Sequence, residues 1–259
     1  MGCALVTGAG HRLGRAMALY LGARGYDVAV HYANSEQGAQ DVVAELKAMG
    51  RNAVALQADL LEEDASQALL PAAASALGGP ITCLVNNASI FEYDNVTSAT
   101  RASWDKHMGS NLRTPFVLTQ AMAAQGLKAD IDDAGEPRAT GLIVNMIDQR
   151  VRKLTPEFMT YTIAKMGLWA MTQTTARALT PAIRVNAIGP GPTLQGGRQT
   201  DEHFEAQRRN TVLGRGSNAD DITAALGYFL DAPAVTGQLL CVDGGQHLGW
   251  QTPDVLGVE

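Results

Sequence analysis

Ala4-Leu5-Val6-Thr7-Gly8-Ala9-Gly10-His11-Arg12-Leu13-Gly14 is the stretch that decides the fold. The apolar run Ala4 to Thr7 reads as a buried strand. Leu13, Ala16, Met17, Tyr20 and Leu21 then recur at i, i+3, i+4, i+7 and i+8, one buried face of a helix that ends near Gly25. Thr7 to Gly14 joins the two with the spacing G-x-G-x-x-x-G, one residue longer than the G-x-G-x-x-G fingerprint. A glycine turn between a strand and a helix lets backbone N–H groups at the helix N-terminus face a pyrophosphate. A tight turn with no ligand is the other reading of the spacing taken alone.

The same alternation continues outward. Short apolar runs at Val28 to His31, Ala53 to Gln57, Cys83 to Val85, Leu142 to Met146, Arg184 to Ile188 and Leu239 to Val242 are separated by amphipathic segments, the next helix running to about Gly50. With Ala4 to Thr7 these make seven strands. Strands alternating with helices imply right-handed crossovers and a parallel sheet covered on both faces, with ligands bound at the carboxyl ends of the strands. Two stretches break the pattern. Gly126 to Thr140 is polar and reads as a surface loop. Leu194 to Arg215 carries arginines and acids in its middle and is placed to close over a substrate.

Composition bounds the rest. The chain has 259 residues, 46% hydrophobic, with net charge −6. That is enough for one α/β domain over 1–259 with a filled core. Basic residues are scattered, which argues against a nucleic-acid or anionic-membrane surface. Cys3, Cys83 and Cys241 form no C-x-x-C pair and lie in or beside apolar runs, so they read as reduced thiols, and a metal site has no support. Met1-Gly2-Cys3 resembles an acylation signal, but Val6 stands where that signal wants Ser or Thr. With no cleavable leader and no apolar run long enough to span a bilayer, a soluble, cytoplasmic protein is expected.

Tyr161 and Lys165 are four apart in a helix-like run, and Asp148 ends the apolar stretch Leu142 to Ile147 upstream. Residues at i and i+4 share a helix face, so the Lys165 ammonium is expected beside the Tyr161 phenol, favouring its ionised form and letting it pass a proton near neutral pH. The second strand ends His31-Tyr32-Ala33-Asn34-Ser35, without the acid that usually accepts from the ribose hydroxyls of NAD. Asn34 and Ser35 offer donors to a 2′-phosphate instead, which favours NADPH; an uncharged turn indifferent to the two cofactors is the alternative. Asp59 and Asn86-Asn87-Ala88-Ser89 follow the third and fourth strands, although Asp and Asn are also turn formers. Asn111 costs helix propensity where it stands, a hint that its side chain has a task.

Together these pieces resemble the short-chain dehydrogenase/reductase family over nearly the whole chain. That family's first turn reads T-G-x-x-x-G-x-G, its fourth strand ends N-N-A-G, and its catalysis uses Asn, Ser, Tyr and Lys. Asn111, Tyr161 and Lys165 match, as do Pro190-Gly191 and Val242-Asp243-Gly244-Gly245. Three departures, Arg12 and Ser89 for glycines and Asp148 for serine, resemble the pteridine reductase branch, and bacterial dihydromonapterin reductases share much of the pattern.

The resemblance implies a single-domain, Rossmann-type, doubly wound α/β sheet of seven mostly parallel strands. It implies an NADPH-dependent oxidoreductase that reduces a pterin, from a dihydropterin to a tetrahydropterin, and a homotetramer. It places the cofactor against Gly8, Gly10, His11, Arg12, Leu13 and Gly14, against Tyr32, Asn34 and Ser35, and against Asp59 and Leu60. Asn87, Ala88, Ser89, Lys165, Pro190, Gly191 and Thr193 complete that set. The catalytic residues would be Tyr161, Lys165, Asp148 and Asn111, with Asn111 holding a water and Lys165 the nicotinamide ribose. The substrate would meet Arg12, Ser89, Phe91, Asp148 and Tyr161, with Phe91 stacked on the pterin. An ionised Asp148 only accepts hydrogen bonds, which suits the N–H donors of a pterin better than a ketone oxygen. Arg12 serving phosphates alone, Phe91 as plain core and Asp148 as a loop cap are the competing roles. A carbonyl reductase acting on a ketone such as a 3-oxoacyl thioester or sugar is the alternative activity, and a non-catalytic NADPH-binding regulator a more distant one. The tail 246–259, with Trp250, is expected to pack against a neighbouring subunit.

Overall fold

The computed structural model describes residues 2–197 and 199–251. Seven strands, β1 (Cys3–Val6), β2 (Asp27–Tyr32), β3 (Ala53–Gln57), β4 (Ile81–Asn86), β7 (Gly141–Met146), β8 (Ile183–Pro190) and β9 (Leu239–Val242), form one sheet in the order β3-β2-β1-β4-β7-β8-β9. Neighbouring strands of this sheet all run parallel among the described residues. The remaining strands, β5 (Asp130–Ile131) and β6 (Pro137–Arg138), form a small exposed antiparallel hairpin within the stretch read from sequence as a loop.

Parallel strands buried on both faces read as unbroken apolar runs. Side chains alternate between the faces. Ala4, Val6, Val28 and Val30 join one core with Met17 and Leu21 of α1 (Arg12–Ala23), Val42 and Leu46 of α2 (Glu36–Ala48), and Leu226 and Phe229 of α8 (Ala219–Asp231). Cys3, Leu5 and Ala29 join the other, with Leu69 and Leu70 of α3 (Glu63–Leu77) and Leu118 and Met122 of α5 (Thr114–Ala124). Burying a side chain the size of Leu or Phe stabilises the fold by about 1.5–3 kcal/mol.

The strand order reverses between β1 and β4, which opens a crevice beyond their carboxyl ends. Helices α6 (Met159–Ala178) and α7 (Asp201–Arg209) contribute to its lining, and α4 (Arg101–Met108) packs against α6. Between α4 and α5, Gly109–Arg113 widens into a π-helical turn that buries Asn111. Such turns recur at functional sites, so the propensity signal at Asn111 has a backbone counterpart. No described helix is long and apolar enough to cross a membrane. Trp250 is exposed. The rest of the tail expectation, 252–259, lies outside the described residues.

Candidate active site

A groove of about 1280 Å³ runs along the carboxyl edge of the sheet. One end is made by the turn after β1. Gly8 sits at φ +63°, and a Cβ on Gly14 would fall 2.2 Å from the Gly8 carbonyl oxygen, so both positions require glycine. Asn87 Nδ2 donates to the carbonyls of Thr7 (2.8 Å) and Gly8 (3.2 Å), and the Gly8 N–H donates to His31 Nδ1 at 3.0 Å. His31 Nε2 lies 3.1 Å from the Ala58 carbonyl and donates to it, which fixes the neutral tautomer. Burial, opposed by that bond, pushes the imidazole below its ordinary pKa. The turn is thus clamped from two sides, by a histidine whose part the sequence reading did not foresee.

Helix α1 opens into the groove at His11 with no side-chain cap and no acid in its first turn. Arg12 stands at φ +53°, a left-handed conformation that costs a non-glycine residue about 1–2 kcal/mol. Its guanidinium donates to the carbonyls of Leu194 (3.0 Å) and Gln195 (2.8 Å), tying the turn after β1 to the start of the 194–215 segment. From that segment His203, Phe204 and Gln207 line the groove.

At the other end, Tyr161 and Lys165 project from α6 and are both buried. The Tyr161 hydroxyl donates to Asp148 Oδ2 at 2.9 Å, while Asp148 Oδ1 accepts from the Arg150 N–H at 2.8 Å. Asp148 therefore caps a short helical turn and holds the phenol at once. Lys165 Nζ donates to the Met146 carbonyl at 2.8 Å and lies 5.6 Å from the Tyr161 ring centre. Burial lowers the Lys165 ammonium to about 8, although Asp148 favours its charged form.

The phenol behaves otherwise than the four-residue spacing suggested. Burial first, then the charge of Asp148 and the hydrogen bond to it, hold Tyr161 well above its ordinary pKa. Burial also raises Asp148, against the Arg150 N–H and charge, the Tyr161 hydroxyl and Lys165. Closeness to Lys165 is real, but a carboxylate in direct contact with the hydroxyl outweighs an ammonium that burial makes easier to neutralise.

Phe91 is 45% exposed, so it is not plain core. Its ring stacks on Phe158 at 4.3 Å and meets the edge of Tyr161 at 4.7 Å. Phe158 precedes α6 at φ +57°, strained for a bulky side chain, and carries the Arg150 guanidinium over its ring at 4.8 Å. Asn111 accepts from the Ile90 N–H (2.9 Å) and from Ser89 Oγ (3.1 Å), and returns a bond to the Ile90 carbonyl (2.8 Å). It stands behind the groove and fixes its wall.

Of the residues singled out from sequence, Gly8, His11, Arg12, Leu13, Gly14, Asn34, Ser35, Asp59, Leu60, Asn87, Ala88, Ser89, Phe91, Asp148, Tyr161, Lys165, Pro190, Gly191 and Thr193 line the groove. Gly10, Tyr32 and Asn111 do not. A Cβ on Gly10 would fall 2.6 Å from Ser35 Oγ, and Tyr32 packs against the core under α1 and α2. Phe158, Arg150 and Tyr93 were missed. No group of described His, Cys, Asp and Glu residues is arranged to hold a metal.

Residues 8–247 match the family model described as enoyl-(acyl carrier protein) reductase. The chain is 31% identical over 250 residues to the 3-oxoacyl-(acyl-carrier-protein) reductase FabG of Staphylococcus aureus, a match covering 95% of this chain and 98% of the relative. It is 41% identical to FolM alternative dihydrofolate reductase 1 from Brucella canis, whose crystal structure, complexed with NADP, superposes with a TM-score of 0.90 over 98% of this chain and 97% of the other. A short chain dehydrogenase from Burkholderia cenocepacia in complex with NADP is 33% identical, with a TM-score of 0.84 over 95% and 97%. The chain belongs to the short-chain dehydrogenase/reductase family, whose members are oxidoreductases.

Proposed function

We propose that the chain is an NADPH-dependent reductase that transfers hydride to a pterin, converting a dihydropterin to a tetrahydropterin. The observation that carries this reading is the buried Asp148–Tyr161 pair at the inner end of the groove. An acid in direct bond to the phenol supplies a proton and accepts N–H bonds, which fits a ring nitrogen better than a ketone oxygen. The likeness to FolM from Brucella canis points the same way.

The residues fit the cofactor. The uncapped N-terminus of α1, free of acids in its first turn, suits a pyrophosphate, and the exposed, uncharged Ala33 and Asn34 leave a 2′-phosphate unopposed. Asn87, Ala88 and Ser89 line the groove, as does Lys165, which would hold the nicotinamide ribose. When bound, NADPH supplies the hydride; the protein supplies position and a proton.

Asp148 and Tyr161 act as one unit. With an acceptor bound, the Tyr161 hydroxyl turns from Asp148 Oδ2 to the pterin nitrogen and gives its proton there, and Asp148, protonated in that state, returns a proton to the phenol oxygen, so that no phenolate is left beside a carboxylate. Burial raises Asp148, which keeps this proton available further toward neutral pH than an ordinary carboxyl would. Phe91 covers one face of the bicycle. Asn111 holds Ser89 and Ile90 in place.

The identity to FabG of Staphylococcus aureus favours a second reading, reduction of a 3-oxoacyl thioester. Following NADPH oxidation with dihydrobiopterin and dihydromonapterin, beside 3-oxoacyl thioesters and simple ketones, separates the two. Turnover confined to pterins is the expected result. Turnover confined to ketones would overturn the pterin assignment and leave the hydride-transfer roles of Tyr161 and Lys165 standing.

A further inference from the structure

Behind the Phe91 wall lies a polar cluster that the chemistry above does not use. Asp94, His107 and Thr160 are all buried, Asp94 in the connection after β4, His107 in α4 and Thr160 in the first turn of α6. Asp94 Oδ1 accepts the Thr160 N–H at 3.1 Å, Asp94 Oδ2 accepts the Thr160 hydroxyl, and the Asp94 carbonyl accepts the Met159 N–H at 3.2 Å. These are N–H groups of the kind that an α-helix start leaves without intrahelical partners. The residue at the N-cap of α6, Phe158, makes no side-chain cap. Asp94 therefore caps α6 from a distant part of the chain.

His107 extends the cluster. Its Nε2 accepts the Glu92 N–H at 3.1 Å, so the proton of the neutral ring is on Nδ1, which donates to Thr160 Oγ1 at 2.6 Å. The direction of donation is consistent throughout: His107 to Thr160, and Thr160 to Asp94. Burial works against the Asp94 charge, but bonds from the Thr160 side chain and backbone and from Ser103, with nearby His107, outweigh it and hold the carboxyl below its usual range. Burial, against Asp94 and Glu92, keeps His107 below its own ordinary pKa and thus neutral.

A buried carboxylate and imidazole are retained only where they are satisfied, and their bonds here join two chain segments that frame the acceptor end, His107 reaching both Glu92 and Thr160 and Asp94 reaching Thr160. One segment carries Phe91 and Glu92. The other carries Phe158 and Tyr161. The His107 ring lies 6.0 Å from the Tyr161 ring and edge-on to it.

We propose that Asp94, Thr160 and His107 are positioning residues that lock the first turn of α6, and with it the Tyr161 hydroxyl, against the segment that carries Phe91. They set the distance between the proton donor and the wall on which a flat acceptor stacks. The nucleotide end of the groove is held by other residues, His31, Asn87 and the glycine turn, and does not depend on them. The proposal rests on the hydride-transfer reading of the groove, for a pterin or a ketone alike.

Thr160→Val removes the central hydroxyl at nearly constant volume, and Thr160→Ser keeps it. With whichever acceptor the wild-type protein reduces, Thr160→Val should lose about ten- to a hundredfold in kcat/KM, the scale expected of a misplaced reacting group. Its Kd for NADPH, read by quenching of protein fluorescence, should stay within about twofold, and Thr160→Ser should recover most of the rate. Asp94→Asn, which places a donor where the Thr160 hydroxyl needs an acceptor, should show the same split and decides the matter if Thr160→Val does not fold. Unchanged turnover in the folded variants, loss of NADPH affinity in step with turnover, or failure of Thr160→Ser to recover it would each overturn the proposal. A failure of the pterin reading appears in the wild-type acceptor panel, and a failure of this one only in the variants.

Discussion

The two ends of the groove are built from different materials. At the nucleotide end the working parts are main chain: the left-handed Gly8, the close approach of Gly14 to the Gly8 carbonyl, and the open N-terminus of α1. At the acceptor end they are side chains at depth: Tyr161 on Asp148, Lys165 with its ammonium lowered to about 8, and Phe91 stacked on a strained Phe158. Main-chain donors and a helix dipole bind any phosphate of the right shape and are indifferent to what lies beyond it. Buried titratable groups act on one particular atom, and their behaviour depends on every neighbour. On the proposed function, the difference separates holding a common cofactor from choosing an acceptor.

The most severe test of that separation is Tyr161→Phe. It removes the hydroxyl and leaves the nucleotide end untouched, so turnover should fall by about 10²- to 10⁴-fold, the usual range for a lost general acid, while NADPH affinity holds. Steady-state rates set beside a binding titration check it. A variant that kept most of its rate would show that the proton comes from elsewhere.

Asp148→Ser comes next. It exchanges an acceptor for a group that also donates, and its effect should depend on the acceptor: a fall of about ten- to a hundredfold for a pterin, and a smaller one for a ketone. The pH profile sharpens this. On the proposed relay the proton comes from the Asp148–Tyr161 pair, whose carboxyl burial raises above its ordinary 3.8, so kcat/KM for the pterin should decline as pH climbs through the pair's lower apparent pKa. The serine variant should lose that limb. Equal losses on both acceptors with an unchanged profile would mean that Asp148 serves only as the cap of its turn.

The nucleotide end is tested by Asn34→Asp, an isosteric change at an exposed residue that adds only charge. A carboxylate beside a 2′-phosphate should weaken NADPH by about tenfold, or about 1.4 kcal/mol, and leave NADH nearly unaffected. Binding of both nucleotides, measured side by side at fixed salt, gives the answer. Equal effects on the two would place the 2′-phosphate away from Asn34.

How much of this was legible in the sequence follows the same division. All seven strands of the sheet were readable because burial on both faces leaves unbroken apolar runs such as Leu142 to Met146, and the nucleotide turn was readable because glycine spacing records backbone geometry directly. The hairpin at Asp130–Ile131 and Pro137–Arg138 was not, since two exposed residues per strand carry no periodicity. At the acceptor end the identities of Tyr161, Lys165, Asp148 and Phe91 were readable, but their behaviour was not. Spacing placed Lys165 near Tyr161 correctly, yet it is silent on how deep the pair is buried and on the carboxylate of Asp148 at 2.9 Å, and it is burial first and Asp148 second that push the phenol up. Phe158 escaped because its contact with Phe91 depends on a left-handed backbone that an aromatic residue does not advertise. The cap of α6 escaped because Asp94 lies 66 residues from its partner Thr160, where no local pattern reaches.

The smallest effect expected belongs to His31, the one titratable group that clamps the nucleotide turn. In the folded chain its Nδ1 must accept from Gly8, so only the neutral ring fits, and burial holds its pKa below the ordinary 6.5. The unfolded chain therefore takes up the proton first as pH falls. The stabilisation is complete above about pH 6.5 and is lost as pH drops from there through the folded pKa. His107, buried and lowered in the same direction, contributes to the same window. His31→Gln keeps an oxygen acceptor for the Gly8 N–H and cannot titrate, so it should be somewhat less stable than the wild type at neutral pH but lose less on acidification, the share that remains belonging to His107. Denaturant melts of the two proteins on either side of pH 6.5 measure that difference in slope. Parallel loss in both would mean that the turn tolerates a charged imidazole, and that the clamp on Gly8 owes its hold to Asn87 alone.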